Sequence, residues 1–247
     1  MRRSRCSRLA RVDEDEIRKS ARLEQKHWWY AGRRALVRHL VRQVPPGRAL
    51  DVGCGSAGNT AVLRDLGWSV TGLEYSPAAA RLARARQLPV LRGDARHLPF
   101  ADETFDLVMS TDMWEHVVED DEVAAEAARV LRPGGRLLVA VPAGMDLWSG
   151  HDVALGHVRR YDREGLVALV ESVGLHVDDV RSWNVLLRPV AKARRRRHSE
   201  SESEMEPVHP VLNAGLRAAV ALESLLPVGG RKGISLVVRA SKPGPRG

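Results

Sequence analysis

Aromatic residues make up only 4% of this 247-residue chain, and cysteine occurs twice. Cys6 sits in a basic amino-terminal stretch and Cys54 in a glycine-rich turn, so no disulfide framework is available. No apolar run approaches the roughly 18 residues of a membrane-spanning helix. The amino terminus also lacks the apolar stretch of about 7–15 residues that a secretory signal needs. A cytoplasmic protein without a transmembrane segment is the expectation. Cationic surface is scarcer than the net charge of +8 suggests. Five arginines fall within residues 1–11, and Lys192 with Arg194 to Arg197 supplies five more cations. Setting those ten aside leaves the remainder at −2, and Glu200, Glu202, Glu204 and Glu206 directly follow the second run. A nucleic-acid groove needs basic residues spread over a folded face, so no nucleic-acid partner is expected.

What is present is organised around one stretch, Arg48-Ala49-Leu50-Asp51-Val52-Gly53-Cys54-Gly55-Ser56-Ala57-Gly58-Asn59. Ala49 to Val52 reads as a buried strand, the glycines as a tight turn, and Thr60 to Leu66 as a helix with apolar residues at 61, 62, 63 and 66. A strand, a glycine turn and a helix open a doubly wound, Rossmann-like α/β unit, in which a ligand lies across the carboxyl ends of the strands. Gly53 and Gly55 permit positive φ and a close backbone approach by that ligand. The string satisfies the dinucleotide pattern G-x-G-x-x-G, yet Asp51 places a carboxylate at the strand end, where it suits a cationic ligand and repels a pyrophosphate. No G-K-[S/T] follows, so a nucleotide-triphosphate cradle is unsupported. Cys54 has no base near it in sequence and reads as a small turn residue.

Further strands are expected over Ser69 to Leu73, Leu88 to Leu91, Phe105 to Ser110, Arg136 to Val141, His176 to Val180 and Ile234 to Arg239, with helices between. Ahead of the first strand, a dense aromatic cluster, His27-Trp28-Trp29-Tyr30, leads into a helix through Leu36, Val37, Leu40 and Val41 that breaks at Pro45-Pro46-Gly47.

Five landmarks in register resemble the class I S-adenosylmethionine-dependent methyltransferases of the type 11, ubiquinone and menaquinone-like small-molecule group. Asp51-Val52-Gly53-Cys54-Gly55 resembles the first motif, Val70 to Glu74 the second strand and its ribose-binding acid, and Gly93-Asp94-Ala95 the adenine-binding turn. Phe105 to Ser110 resembles the fourth strand, and Leu131 to Gly135 the turn before the fifth. Glu74 stands 21 residues after Gly53, close to the ~20 of a ribose-binding acid. The resemblance implies a seven-stranded sheet with an antiparallel last strand. It implies S-adenosylmethionine as cofactor, held by Asp51, Gly53, Gly55, Glu74, Asp94, Ala95 and Asp112, with Asp112 at the end of the fourth strand near the reactive sulfonium. Tyr30 and Arg34 are expected to close over the cofactor carboxylate from the amino-terminal helix. The E-H-V sequence at Glu115-His116 resembles a common helix opening in the family, where the histidine serves packing.

A second polar stretch, His151 to Tyr161, follows the fifth strand and crowds two histidines, two arginines and a tyrosine into eleven residues. Its spacing does not resemble a zinc site, and no metal is expected. It reads as an acceptor-binding loop with His151 or His157 as general base, or as a loop that caps the helix over 162–173. The expected organisation is a disordered basic tail over 1–14, a helical cap over 15–47 and a methyltransferase domain over 48–241. That domain carries a long insertion at 184–233, in which 192–209 form a mobile loop. Trp183, Asn184 and Arg188 would face a lid made by the insertion. A peripheral membrane contact or a dimer contact by the arginine run stays open. Ser110-Thr111-Asp112-Met113 stands where nucleic-acid and protein amine methylators of this fold often carry N-P-P-[Y/F]. A small-molecule acceptor is therefore expected, with oxygen slightly ahead of nitrogen or carbon. The alternatives are a silent cofactor-binding protein of the same fold and a nicotinamide-dependent oxidoreductase.

Overall fold

A computed structural model describes residues 14–197 and 207–244. The expected disordered tail and most of the segment after the arginine run lie outside the described residues. In chain order the elements are α1 (Glu14–Leu23), α2 (Trp28–Val41), β1 (Arg48–Val52), α3 (Gly58–Asp65), β2 (Ser69–Glu74), α4 (Pro77–Arg84), β3 (Val90–Arg92) and β4 (Phe105–Thr111). A 3₁₀ turn (Trp114–His116) precedes α5 (Asp120–Val130) and β5 (Leu131–Pro142), and a second 3₁₀ turn (Met145–Leu147) follows. Then come α6 (Gly150–Ala154), α7 (Arg163–Ser172), β6 (His176–Trp183), α8 (Arg188–Arg197), α9 (Pro210–Glu223) and β7 (Ser235–Ser241).

The seven strands form one sheet in the order β3-β2-β1-β4-β5-β7-β6, with β7 antiparallel to both neighbours. The chain steps outward from β1 through β2 to β3, then returns to lay β4 on the other side of β1. Between β1 and β4 the winding reverses, and loops leaving their carboxyl ends diverge to open a crevice.

Alternation along β1 sends Leu50 and Val52 to one face of the sheet, with Val108, Val139, Leu166 and Val170, and Ala49 to the other, with Leu63, Val70 and Met109. Asp51 follows Ala49's parity, so a carboxyl lands inside a packed layer. On α2, Arg33 shares the buried stripe of Val37, Leu40 and Val41. A guanidinium therefore replaces an apolar side chain at the helix end nearest the crevice.

Local chemistry sets the helix starts. Ser76 accepts from the Ala79 amide at 3.4 Å ahead of Pro77, and Asp162 accepts from the Gly165 amide at 2.7 Å. The insertion between β6 and β7 differs from expectation. Residues 192–197, read as the start of a mobile loop, are the last turns of α8. Lys192 and Arg188 pair with Asp146 at 2.6 and 2.7 Å, and Arg195 donates to the Leu147 carbonyl at 2.8 Å. Those partners lie on the loop after β5, so the basic helix is tied down beside the crevice. α9 packs on α2 at Gly32, whose missing Cβ leaves room for Val220 and Trp183. Among the described residues no helix is long and apolar enough to cross a membrane.

Candidate active site

The glycine turn after β1 concentrates negative charge. Asp51 is fully buried, accepts from the Thr60 hydroxyl at 2.6 Å through one oxygen and leaves the other without a partner. Burial pushes its carboxyl up to about 7. The Thr60 hydrogen bond pulls the other way, and the charges of Glu74 and Glu24 add to the rise. Glu74 accepts from the Gly55 amide at 2.8 Å and the Ser76 amide at 2.7 Å, and burial also raises its pKa. Glu24, just beyond α1, takes the Ser56 hydroxyl at 2.7 Å and an ion pair with Arg86. Three carboxyl groups around one turn, one with an orphaned oxygen, favour a cationic ligand.

The glycines divide their work. Gly53 has φ +74, and a Cβ there would overlap the Met113 side chain, so this glycine lets the loop after β4 lie across the turn. Gly55, φ +55, would project a Cβ into open space, and is the position at which a ligand can meet the backbone. Cys54 packs against Gly72, and burial pushes its thiol far above the ordinary range, as expected for an inert turn residue.

Of the adjacent arginines Arg33 and Arg34 on α2, it is Arg33 that the fold brings to the crevice. Its guanidinium lies 4.3 Å from the Trp183 ring centroid and 5.4 Å from that of Trp29, and donates to Asp112 at 2.7 Å. Nε and Nη1 of Arg33 have no partner. Arg34 instead donates to the Glu24 carbonyl at 2.7 Å, joining α2 to α1, and Tyr30 packs edge-on against His27. Asp112 holds φ +53, unusual for a residue with a Cβ, and is locked there by a hydrogen bond from its amide to Ala140. At the adenine-type turn, Asp94 is gripped by Arg96 through both oxygens, which lowers its pKa, and Arg96 continues to Glu119. Ala95 belongs to the core beside it.

The polar loop after β5 folds around Asp152. This buried carboxylate accepts from the Ser149 amide at 3.0 Å, meets Nδ1 of His157 at 2.9 Å and takes Nε of Arg160 at 2.8 Å. Burial alone would raise its pKa, but His157 and Arg160 hold it well below the usual carboxylate range. Nε2 of His157 faces Glu115, 3.9 Å away. Glu115 is wholly buried with both oxygens unpartnered. Burial and the charge of Asp112 raise its pKa strongly, against Arg33 and Arg160. His151 lies on α6, where burial and the neighbouring Arg195 push it down to about 3. Arg159 and Tyr161 both reach Asp120, at 2.6 and 2.7 Å, and pin the loop to α5. Trp183 and Asn184 are buried rather than facing a lid, and Asn184 keeps both side-chain polar atoms unpartnered.

A family model for a methyltransferase domain matches residues 50–139. A protein of Mycolicibacterium smegmatis described as a probable S-adenosylmethionine-dependent methyltransferase is 29% identical over 161 residues, covering 64% of this chain and 63% of the relative. Residues 50–139 thus match a methyltransferase domain, and the chain is similar to S-adenosylmethionine-dependent methyltransferases. A demethylmenaquinone methyltransferase of Mycobacterium tuberculosis is 37% identical over 117 residues, 47% of this chain and 48% of that protein. The chain thus spans less than two thirds of the length of either relative. Among solved structures, a chain of the complex between a Haloferax volcanii methyltransferase activator and its methyltransferase partner superposes with TM-score 0.63 at 23% identity, covering 95% of this chain and 99% of that one. The Haemonchus contortus phosphoethanolamine N-methyltransferase 2, solved with S-adenosyl-L-methionine, gives 0.57 at 19% identity, covering 85% and 52%.

These solved structures confirm the fold, including the antiparallel last strand. S-adenosylmethionine is the cofactor named for the Mycolicibacterium relative, and the turn suits such a ligand. The orphaned Asp51 oxygen, the neighbouring Glu74 and the open space at Gly55 match a ligand that carries positive charge and approaches the backbone closely. Of the residues at the crevice, Arg33 has no role legible in any sequence motif, whereas Glu115 stands out there only beside His116 as a helix opening. The period of α2, which puts residue 33 on the buried stripe, was the signal for Arg33. The isolation of the Glu115 carboxyl follows from packing alone.

Proposed function

We propose that the protein transfers a methyl group from S-adenosylmethionine to an oxygen atom of a small polar acceptor. When bound, the cofactor supplies an electrophilic methyl group on a sulfonium, already an excellent leaving group. The chain's own residues therefore act chiefly by holding and aligning, and positioning of this kind is worth about 7–11 kcal/mol. Asp51 and Glu74 hold the cationic ligand at the turn, and Gly55 admits it to the backbone. Arg33, clamped by Trp29 and Trp183, closes the crevice on the α2 side and keeps water out of it.

One observation carries the acceptor assignment. Buried polar atoms without partners lie on segments that reach the carboxyl edge of the sheet: Nε and Nη1 of Arg33, both oxygens of Glu115, the amide of Asn184 and Nη1 of Arg188. Unpaired buried groups are costly, and a polar acceptor would satisfy them where an apolar one would not. His157 is favoured over His151 as the histidine on the acceptor side of the crevice, because Asp152 fixes its ring and directs Nε2 toward Glu115. Calorimetric titration with S-adenosylmethionine and its demethylated product, using Asp51 and Glu74 variants as controls, tests the cofactor half. A product screen over hydroxylated acceptors, scored by mass gain, tests the other. Absence of binding to either ligand would overturn the reading, and transfer confined to amines would overturn the oxygen assignment.

A further inference from the structure

Glu115, His116 and His157 arrive from two segments, the 3₁₀ turn after β4 and the loop after β5. They place one donor atom each within 4.8 Å of one another. Nδ1 of His116 and both Glu115 oxygens are buried and have no hydrogen-bond partner. Each imidazole is secured through its other side. The His116 ring hydrogen-bonds to the backbone of Gly156, and Nδ1 of His157 is held by Asp152. The two rings stand edge to face with centroids 4.8 Å apart. A histidine held at one nitrogen by a carboxylate or carbonyl, with the other nitrogen aimed into a shared space, is how metal-ligating imidazoles are oriented.

We propose that Glu115, His116 and His157 bind a divalent first-row transition metal ion at the acceptor side of the crevice, with Asp152 and the Gly156 backbone orienting the two histidines. Two imidazoles and one carboxylate form a ligand set that suits zinc or ferrous iron and leaves coordination positions open. Arg160 and Arg195 already offset Asp152, so the negative charge offered to the ion is that of Glu115. Bonds of about 2.1 Å at the tetrahedral angle set donors about 3.4 Å apart, so a pair as far apart as 4.8 Å closes by about 1.4 Å on binding. The open positions face the region proposed for the acceptor, so the ion would coordinate an acceptor oxygen and hold it in place. This inference rests on the proposed methyl transfer only for the identity of that oxygen.

The full chain, stripped with chelator, is titrated calorimetrically with Zn²⁺, and Co²⁺ is added separately to read its visible d–d absorption. One equivalent of Zn²⁺ binding below micromolar Kd is expected, with at least a 100-fold loss in His116→Ala and His157→Ala. Asp152→Asn should cost about 10–100-fold, as an orienting partner does. Circular dichroism and binding of S-adenosylmethionine report whether each variant is folded. If a variant unfolds, the change in Co²⁺ absorption on replacing Glu115 by Gln in the otherwise intact site decides. Stoichiometric binding unchanged in both histidine variants would place the ion elsewhere and overturn the proposal, as would no binding at all. Cofactor binding retained in a protein that takes up no metal would overturn this inference alone and leave the methyltransferase reading standing.

Discussion

The carboxyl of Asp51 is enclosed by the layer between β1 and α3, keeps one oxygen unpaired and titrates near pH 7. In the unfolded chain the same group titrates near 3.8. Below pH 3.8 it is protonated in both states and contributes no difference. Between 3.8 and 7 the unfolded chain sheds the proton while the fold keeps it, so stability falls by about 1.4 kcal/mol for each pH unit. Above 7 the loss levels off at about 4 kcal/mol. Asparagine mimics the protonated form and can still accept from the Thr60 hydroxyl. Asp51→Asn should therefore match the wild type at pH 4, then gain on it steadily to about 4 kcal/mol at pH 8, read as the difference in urea unfolding free energy. The same change should weaken S-adenosylmethionine at least tenfold at pH 8, because the cationic ligand loses its charged partner. It should also abolish the proton release that accompanies cofactor binding near neutral pH. A stability difference that is the same at pH 5 and pH 8, or a variant less stable than the wild type at pH 8, would refute the reasoning.

Gly55→Ala should cost the fold only about 1 kcal/mol, the penalty of a left-handed residue, yet weaken the cofactor more than tenfold by calorimetry. Gly53→Ala should cost clearly more, since its Cβ overlaps Met113, and part of that cost should return with Met113→Ala in the same chain. Arg33→Ala should destabilise by about 3 kcal/mol in denaturant titration, through loss of the tryptophan clamp and the Asp112 pair. Arg34→Ala, which loses one hydrogen bond to a carbonyl, should cost about 1 kcal/mol. Tyr161→Phe should cost about 1.5 kcal/mol by thermal unfolding, because its hydroxyl donates to a carboxylate that Arg159 also holds.

Much of this protein is legible in local spacing. The strand, the glycine turn and the helix over residues 48–66 need only nearest neighbours to form, and the acids at 51 and 74 follow from their place at strand ends. The same holds for the strand sequence up to β5, whose buried runs and turn residues are contiguous. A reversed last strand was expected from the resemblance rather than from any local pattern. Tertiary structure decided the rest, because the deciding contacts join residues far apart in the chain. Trp29 and Trp183 choose Arg33 over Arg34, since only the buried stripe of α2 faces β6. Asp146, which holds Arg188 and Lys192, and the Leu147 carbonyl, which accepts from Arg195, dock a basic run that in isolation repels itself as part of α8. Glu115, His116 and His157 are unremarkable in their own segments. They become one constellation only because the fold brings the two segments together beside Asp152 and Gly156.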